Sequence, residues 1–478
     1  MNQADEDFGT LRSMLAQGVD DLKRAHDLMA LLEEVYARDP EGYADRWAPY
    51  LEGSRDEWPT PFAVLHTPQE IRRVHALIPG ARVRYYHSNA NREGFDYAAL
   101  HALLVSPVAR ALCDISMWGG ADAPLLDTIL ESEHLEELEV LSLSGALFDD
   151  ETFMRLVEGD GVPSLEQLGM HGTAIVDDTI RAFAKHPRSA TLRGLGMGAS
   201  QNLTMAALDA LIESPHFERF TWTNLAGIEI DVQGAARLSR SRLFQDAEYI
   251  QLTSAKLGDA GLEALGGHTD RIEYLDVVGN DLTPKGLVRF FHTPLGQGLG
   301  GINCSSNEAL DGKVLDVFEQ APQLPNLRRF DYHGPLGDDV HDRLAKLTVW
   351  PNLRVLSLWN SELTLEGLQR LLKAPWMDGI EELDLGFQWF EDCDAAVGML
   401  ARCPALRNLR GLMLYGVPFG DDGAKELATS PILSSLESLT LPSDHAISKD
   451  GARALSESAF LHPIVRTALL SALEHRLS

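Results

Sequence analysis

The chain has 478 residues, with 71 acidic against 41 basic side chains and a formal net charge of −30. Such an acidic excess argues against binding to nucleic acid, whose phosphates need clustered Lys and Arg, and against anionic membrane surfaces. The composition, 45% hydrophobic, suits a folded protein, and no run of apolar residues is long enough to predict a membrane span.

The opening residues, Met1 to Asp7, are acidic and lack the apolar stretch of a secretory signal. Cys113, Cys304, Cys393 and Cys403 are too scattered for a disulfide framework and form no C-x-x-C metal pair. A cytoplasmic protein without metal or cofactor is therefore expected.

Residues 1–80 lack the periodicity that follows. Leu11, Met14, Leu15, Leu22, Ala25, Leu28, Leu31 and Leu32 recur at helical spacing between Phe8 and Tyr36. Asp39-Pro40-Glu41-Gly42 breaks that pattern, and Tyr43 to Leu51 predicts a second, short helix. Trp58-Pro59-Thr60-Pro61 predicts a rigid turn. Trp47, Tyr50, Trp58 and Phe62 supply apolar surface for packing over what comes next. The segment is expected to be a helical cap or a docking element.

From Leu112 onward a phrase, L-x-x-L-x-L, recurs at intervals of roughly 25 to 30 residues. The copies are Leu112/Ile115/Met117, Leu138/Leu141/Leu143, Leu165/Leu168/Met170, Leu192/Leu195/Met197 and Phe217/Phe220/Trp222. Next come Ala247/Ile250/Leu252, Ile272/Leu275/Val277, Leu299/Ile302/Cys304 and Leu327/Phe330/Tyr332. Leu353/Leu356/Leu358, Ile380/Leu383/Leu385, Leu409/Leu412/Leu414 and Leu436/Leu439/Leu441 complete thirteen copies, with Val83–Tyr86 a degenerate earlier one. Each copy alternates inward apolar letters with outward ones, the period of a strand.

Helices fill the intervals. Leu257-Gly-Asp-Ala-Gly261, Leu282-Thr-Pro-Lys-Gly286, Leu363-Thr-Leu-Glu-Gly367 and Phe419-Gly-Asp-Asp-Gly423 open them, with Thr283 and Thr364 as N-caps and Pro284 in the first turn. The recurring glycine is expected to let the helix approach the strand layer. A strand–helix unit repeated in one direction predicts an α/β solenoid with parallel strands on its concave face and helices on its convex face, closed into a curved stack by right-handed crossovers. The expected organisation is a cap or docking segment at 1–80, a solenoid at 81–460 and a closing helix at 461–478.

These motifs resemble the leucine-rich repeat family, in its ribonuclease-inhibitor-like class. The family's asparagine position is kept at Asn280 and Asn307 and replaced at Gly120, Ala146, Thr173, Ser200, Ser361 and Gln388, a degeneracy that resembles bacterial members. The resemblance implies protein–protein recognition on the concave face.

The letters between the apolar ones project from that face. Early copies offer small residues: Ser116, Ser142, Gly169, Gly196 and Thr221. Later copies offer aromatics among charges: Tyr249, Gln251, Tyr274, Asp276, Arg329, Asp331, His333, Trp359, Glu382, Asp384 and Tyr415, with Trp389 just beyond its strand. Aromatics anchor interfaces and carboxylates select Lys or Arg, so this set is the expected site for a basic protein partner.

Other features point less far. The acidic run from Asp127 to Asp160 reads as a solvated face with helix caps, Asp149 and Asp150 standing at a helix start. Gly194, Gly196 and Gly198 leave one strand bare. Gly296–Gly301 precedes a strand and lacks the context of a phosphate loop. Neither H-E-x-x-H nor G-x-S-x-G occurs, Cys393 has no nearby His, and His333 with Asp331 lacks a third catalytic partner. The expected function is non-enzymatic recognition, as inhibitor or adaptor. The alternative is the sensing or substrate-recognition arm of a catalytic or signalling assembly, docked through residues 1–80.

Overall fold

The computed structural model describes residues 3–16, 22–40, 43, 47–48, 51, 63–65, 68–78, 82–87, 95–118, 123–144, 149–217, 220–267, 271–336, 343–344, 346–442, 447–462 and 465–466. The turn expected at Trp58–Pro61, Tyr50, Phe62, most of the 43–51 helix and the segment after residue 466 lie outside the described residues. The chain divides into two compact units, residues 1–228 and 229–478.

In the first unit, helices Gln3–Ala16 and Leu22–Arg38 fall within the acidic opening and the apolar periodicity. Leu28 and Leu32 are fully buried, and Trp47 packs edge-on to Phe8 and stacks on Tyr43. Seven parallel strands follow in sequence order: β1 (Ala63–Leu65), β2 (Val83–His87), β3 (Leu112–Trp118), β4 (Val140–Ser144), β5 (Gln167–His171), β6 (Gly194–Gly196) and β7 (Trp222–Asn224).

The second unit adds eight more: β8 (Tyr249–Gln251), β9 (Tyr274–Asp276), β10 (Gly301–Asn303), β11 (Arg329–Asp331), β12 (Val355–Ser357), β13 (Glu382–Asp384), β14 (Gly411–Met413) and β15 (Ser438–Thr440). These too are parallel and sequential. Both units are therefore α/β repeat stacks. The apolar letters are buried, Leu275, Ile302, Phe330, Leu356, Leu383 and Leu412 being fully so.

One copy sits in a different register. The apolar set Phe217/Phe220/Trp222 imitates the phrase, but the strand pairs Gly194 with Trp222 and Gly196 with Asn224. Its inward letters are Phe220, Thr223 and Leu225, all buried. A threonine at the central core letter hid the true register. Asn224, not Thr221, thus stands in the outward middle column, and Trp222 faces outward.

That shift also corrects the picture of a bare β6. The Trp222 ring lies directly over the space where side chains at Gly194 and Gly196 would be. The glycines make a bay, and the next strand's indole fills it.

The helices are tied to one another through their N-termini. An aspartate in the first turn of one helix accepts hydrogen bonds from the N-cap residue, or the first turn, of the next repeat's helix. Asp177 takes the Thr204 amide (2.8 Å) and hydroxyl (2.6 Å), and Asp259 takes those of Thr283 (2.9 and 2.7 Å). Asp421 takes those of Ser448 (2.8 and 2.6 Å), and Asp394 takes the Gly420 and Gly423 amides. Asp150 likewise receives the Val176 amide and the Thr179 hydroxyl.

This explains the helix glycine differently from the sequence expectation. A Cβ at Gly286 would strike the Asp259 carboxylate, one at Gly451 the Asp421 carboxylate, and one at Gly423 would lie 2.9 Å from Asp394 Oδ1. At Gly286, Gly423 and Gly451 the glycine makes room for the neighbouring helix's latch, whereas at Gly261 a Cβ would meet the Leu257 side chain. Thr283 and Thr364 are the predicted N-caps, accepting from Gly286 and Gly367.

The degenerate asparagine position also ties repeats together. Asn280 Oδ1 accepts the Ala255 and Leu257 amides, and Asn307 Oδ1 accepts those of Asn280 and Leu282. Gln388 reaches the Leu363 amide in the same manner. Where both partners are hydroxyls, Thr173 and Ser200 bond each other at 3.0 Å.

Candidate functional site

The outward letters of β8–β14 stand on the face of the second unit's sheet that the helices leave open. Strand register places them in rows. Arg329, Val355 and Glu382 are partners across β11–β13, as are Asp331, Ser357 and Asp384.

At one end Tyr249 and Tyr274 stack, with ring centroids 4.7 Å apart and planes 16° from parallel. β10 offers Gly301 at this position, and a Cβ there would come within 2.9 Å of the Tyr274 ring and 3.0 Å of Arg329 Cβ. Tyr274 therefore lies across β10, and its hydroxyl donates to Asp331 Oδ2 on β11 at 2.6 Å. Arg329 Nε donates to the same oxygen at 2.7 Å, and its guanidinium carbon sits 5.2 Å from the Tyr274 ring centre.

The electrostatics follow from burial. Removing Arg329 from water disfavours its charge, but the adjacent Asp331 more than offsets this and holds the guanidinium pKa above its usual value. Burial, then the Asp331 charge, pushes the Tyr274 phenol well above its ordinary range, so it remains a donor. Burial also raises the Asp276 carboxyl, against the hydrogen bonds from Val278 and Thr253.

The acids expected to greet a partner are thus largely turned inward. Asp331 is 2% and Asp276 7% exposed. Asp276 Oδ1 accepts from Thr253 Oγ1 (2.8 Å) and the Val278 amide (3.0 Å). Half-buried Asp384 accepts from Ser357 Oγ (2.9 Å) and the Gly386 amide (2.8 Å). Three of the four expected carboxylates orient their neighbours, and of the four only Glu382 is exposed.

The aromatics form a second feature. The rings of His333, Trp359, Phe387 and Tyr415 follow one another at centroid distances of 5.4, 4.8 and 5.1 Å. Tyr415 is 44% and Trp389 72% exposed. Phe387 was missed in the sequence because it lies past its strand, at a positive φ of 54°. His333 and Asp331 do not hydrogen-bond each other; His333 Nε2 instead meets Ser357 Oγ at 3.2 Å. Burial lowers the His333 pKa, opposed by the charges of Asp331, Asp384 and Asp276. Gln251 and Tyr249 are half-buried at the margin.

The open face of the first unit is less plain than its small middle column suggested. Trp118 stacks on His171 at 5.5 Å and 15°. Within the acidic run, Asp149 caps its helix through the Thr152 amide and Asp127 pairs with Arg155 at 2.9 Å, in keeping with the solvated-and-capping reading.

A family model described as Leucine Rich repeat matches residues 272–291. No curated protein matches the sequence. Solved structures similar to this chain include an internalin, InlF, from Listeria monocytogenes, at 19% identity and TM-score 0.33, covering 69% of this chain and 80% of that one. Rad7 and Elc1 from yeast, solved as a complex, match at 14% identity and TM-score 0.44, over 94% of this chain and 99% of the matched one. TLR13, in a complex with ssRNA13, matches at 15% and 0.35, over 80% and 62%. No helix among the described residues is long and apolar enough to cross a membrane. The recurring phrase folds as parallel strands with intervening helices, and the segment that matches the Leucine Rich repeat model lies at the phrase's best copy.

Proposed function

We propose that the chain is a non-enzymatic recognition module that binds a protein partner through the open strand face of its second unit, as inhibitor or adaptor. The observation that carries this is the run of touching rings from His333 to Tyr415, with exposed Trp389 beside it. Exposed aromatics already held in place lose little conformational freedom on binding and dominate hot spots. The hydrogen bonds of Asp276, Asp331 and Asp384 support a structural role for the acids, so the aromatics and the outer charges supply the contacts.

The test is capture of partners from the source organism on immobilised chain, with a Trp359→Ala, Trp389→Ala, Tyr415→Ala triple variant as control, followed by calorimetry with the purified partner. A partner bound by the parent and lost by the variant, with unchanged circular dichroism, is the expected result. Equal binding by both rejects this face as the interface.

A further inference from the structure

Arg329, Val355 and Glu382 are register partners on three adjacent strands, so Arg329 and Glu382 stand two strand spacings apart, roughly 10 Å. Arg329 is fixed by Asp331 at Nε and by the Tyr274 face, while its two terminal nitrogens hold no hydrogen bond. The carboxylate of exposed Glu382 has no hydrogen-bond or ion-pair partner among the described residues. One position earlier on neighbouring strands the opposite habit prevails: Arg354 pairs with Glu381 at 3.4 Å and Arg410 with Glu437 at 2.9 Å. The open face thus presents in one row a guanidinium paired at Nε with buried Asp331 but open at its terminal nitrogens, a half-buried valine and an exposed carboxylate, and Arg329 and Glu382 do not pair with each other.

Resting on the recognition reading above, we propose that this row reads a polyproline-II segment of the partner protein that carries an acidic and a basic residue three positions apart. Polyproline II has three residues per turn and a rise of ~3.1 Å, so such residues share a face about 9.3 Å apart. That distance matches the backbone spacing of the Arg329 and Glu382 positions across β11–β13. A β-strand fails the same test: residues three apart point to opposite faces, and residues two apart span only ~6.6 Å. Polyproline II segments also dock in aromatic-lined grooves, and the His333–Tyr415 rings line this face on the same set of strands. Arg329 would take the acidic side chain through its terminal nitrogens, and Glu382 the basic one.

The experiment selects a phage-displayed library of random dodecapeptides on the full chain. Enriched peptides are then measured by fluorescence anisotropy against the parent, Glu382→Gln, Arg329→Gln and Trp359→Ala. The expected outcome is enrichment of an acid and a base three positions apart, with affinity roughly tenfold lower in each charge variant. Glu382 is exposed, so its variant folds whatever Arg329→Gln does. Peptides that need Trp359 but bind Glu382→Gln and Arg329→Gln unchanged overturn this inference and leave the recognition reading standing. Charges seven positions apart, the spacing of a helix, overturn it likewise. Absence of any enriched peptide counts against both.

Discussion

Tyr274 on β9 donates its hydroxyl to Asp331 on β11, past the intervening β10. The contact exists only because Gly301 offers no side chain to the ring that crosses it. Together with Arg329 it satisfies one oxygen of a nearly fully buried carboxylate, while Oδ1 has no hydrogen-bond partner among the described residues.

Tyr274→Phe removes one of two donors from that carboxylate and is expected to cost about 1–2 kcal/mol. Gly301→Ala should cost more, since it displaces the ring and disturbs Arg329 as well. Urea midpoints of the two variants check the order, and a neutral Tyr274→Phe would show that the bond adds nothing to stability.

The Asp259–Thr283 latch makes a second prediction. Asp259→Ala loses two hydrogen bonds to a helix start, about 1–2 kcal/mol. Gly286→Ala alone places a methyl against that carboxylate and is also destabilising. In the double variant the obstruction is gone, so the combined loss should be smaller than the sum. Additive losses would mean that the methyl is accommodated elsewhere.

His333 sets a pH dependence. Burial lowers its pKa in the folded chain below the ordinary value of about 6.5 that it has when unfolded. The unfolded form therefore takes up the proton first as pH falls. The neutral ring's contribution is complete above about pH 6.5 and is lost as pH drops through the folded value. Ring titration by NMR should place His333 below 6.5, and the stability gap between the parent and His333→Gln should narrow on acidification. A pKa above 6.5 would reverse the sign.

Trp222 should report on its bay. With 5-fluorotryptophan incorporated, its resonance is expected to be shielded from solvent in the parent and shifted toward the solvent position by Gly196→Val. An unchanged resonance would place the indole elsewhere.

The sequence revealed the fold well because each repeat spells its core with the same few apolar letters, and burying them leaves little freedom of register. It failed at Thr223, where a polar residue took a core position while Phe217 and Trp222 supplied a decoy. The candidate site was legible only as a set of positions. Which face Asp331 or Asp276 occupied could be read from strand alternation, but not that Tyr274, Thr253 and Val278 would consume their oxygens. The Tyr274 and Thr253 contacts join residues on different repeats, and the space left by Gly301 becomes meaningful only once β9 and β11 flank it. Phe387 was invisible because its backbone leaves the strand pattern before its ring joins the aromatic run.

The aspartate latches have a direction. In each, the acceptor belongs to the earlier repeat and the amide it receives to the later one. A chain emerging from the ribosome amino end first would present each new helix start to a carboxylate already in place. Growth of structure from the carboxyl end would leave those amides waiting for a partner not yet folded. The Asn280 and Asn307 bonds run the other way, from earlier amides to a later acceptor, so the two sets together hold a repeat to both of its neighbours within the second unit.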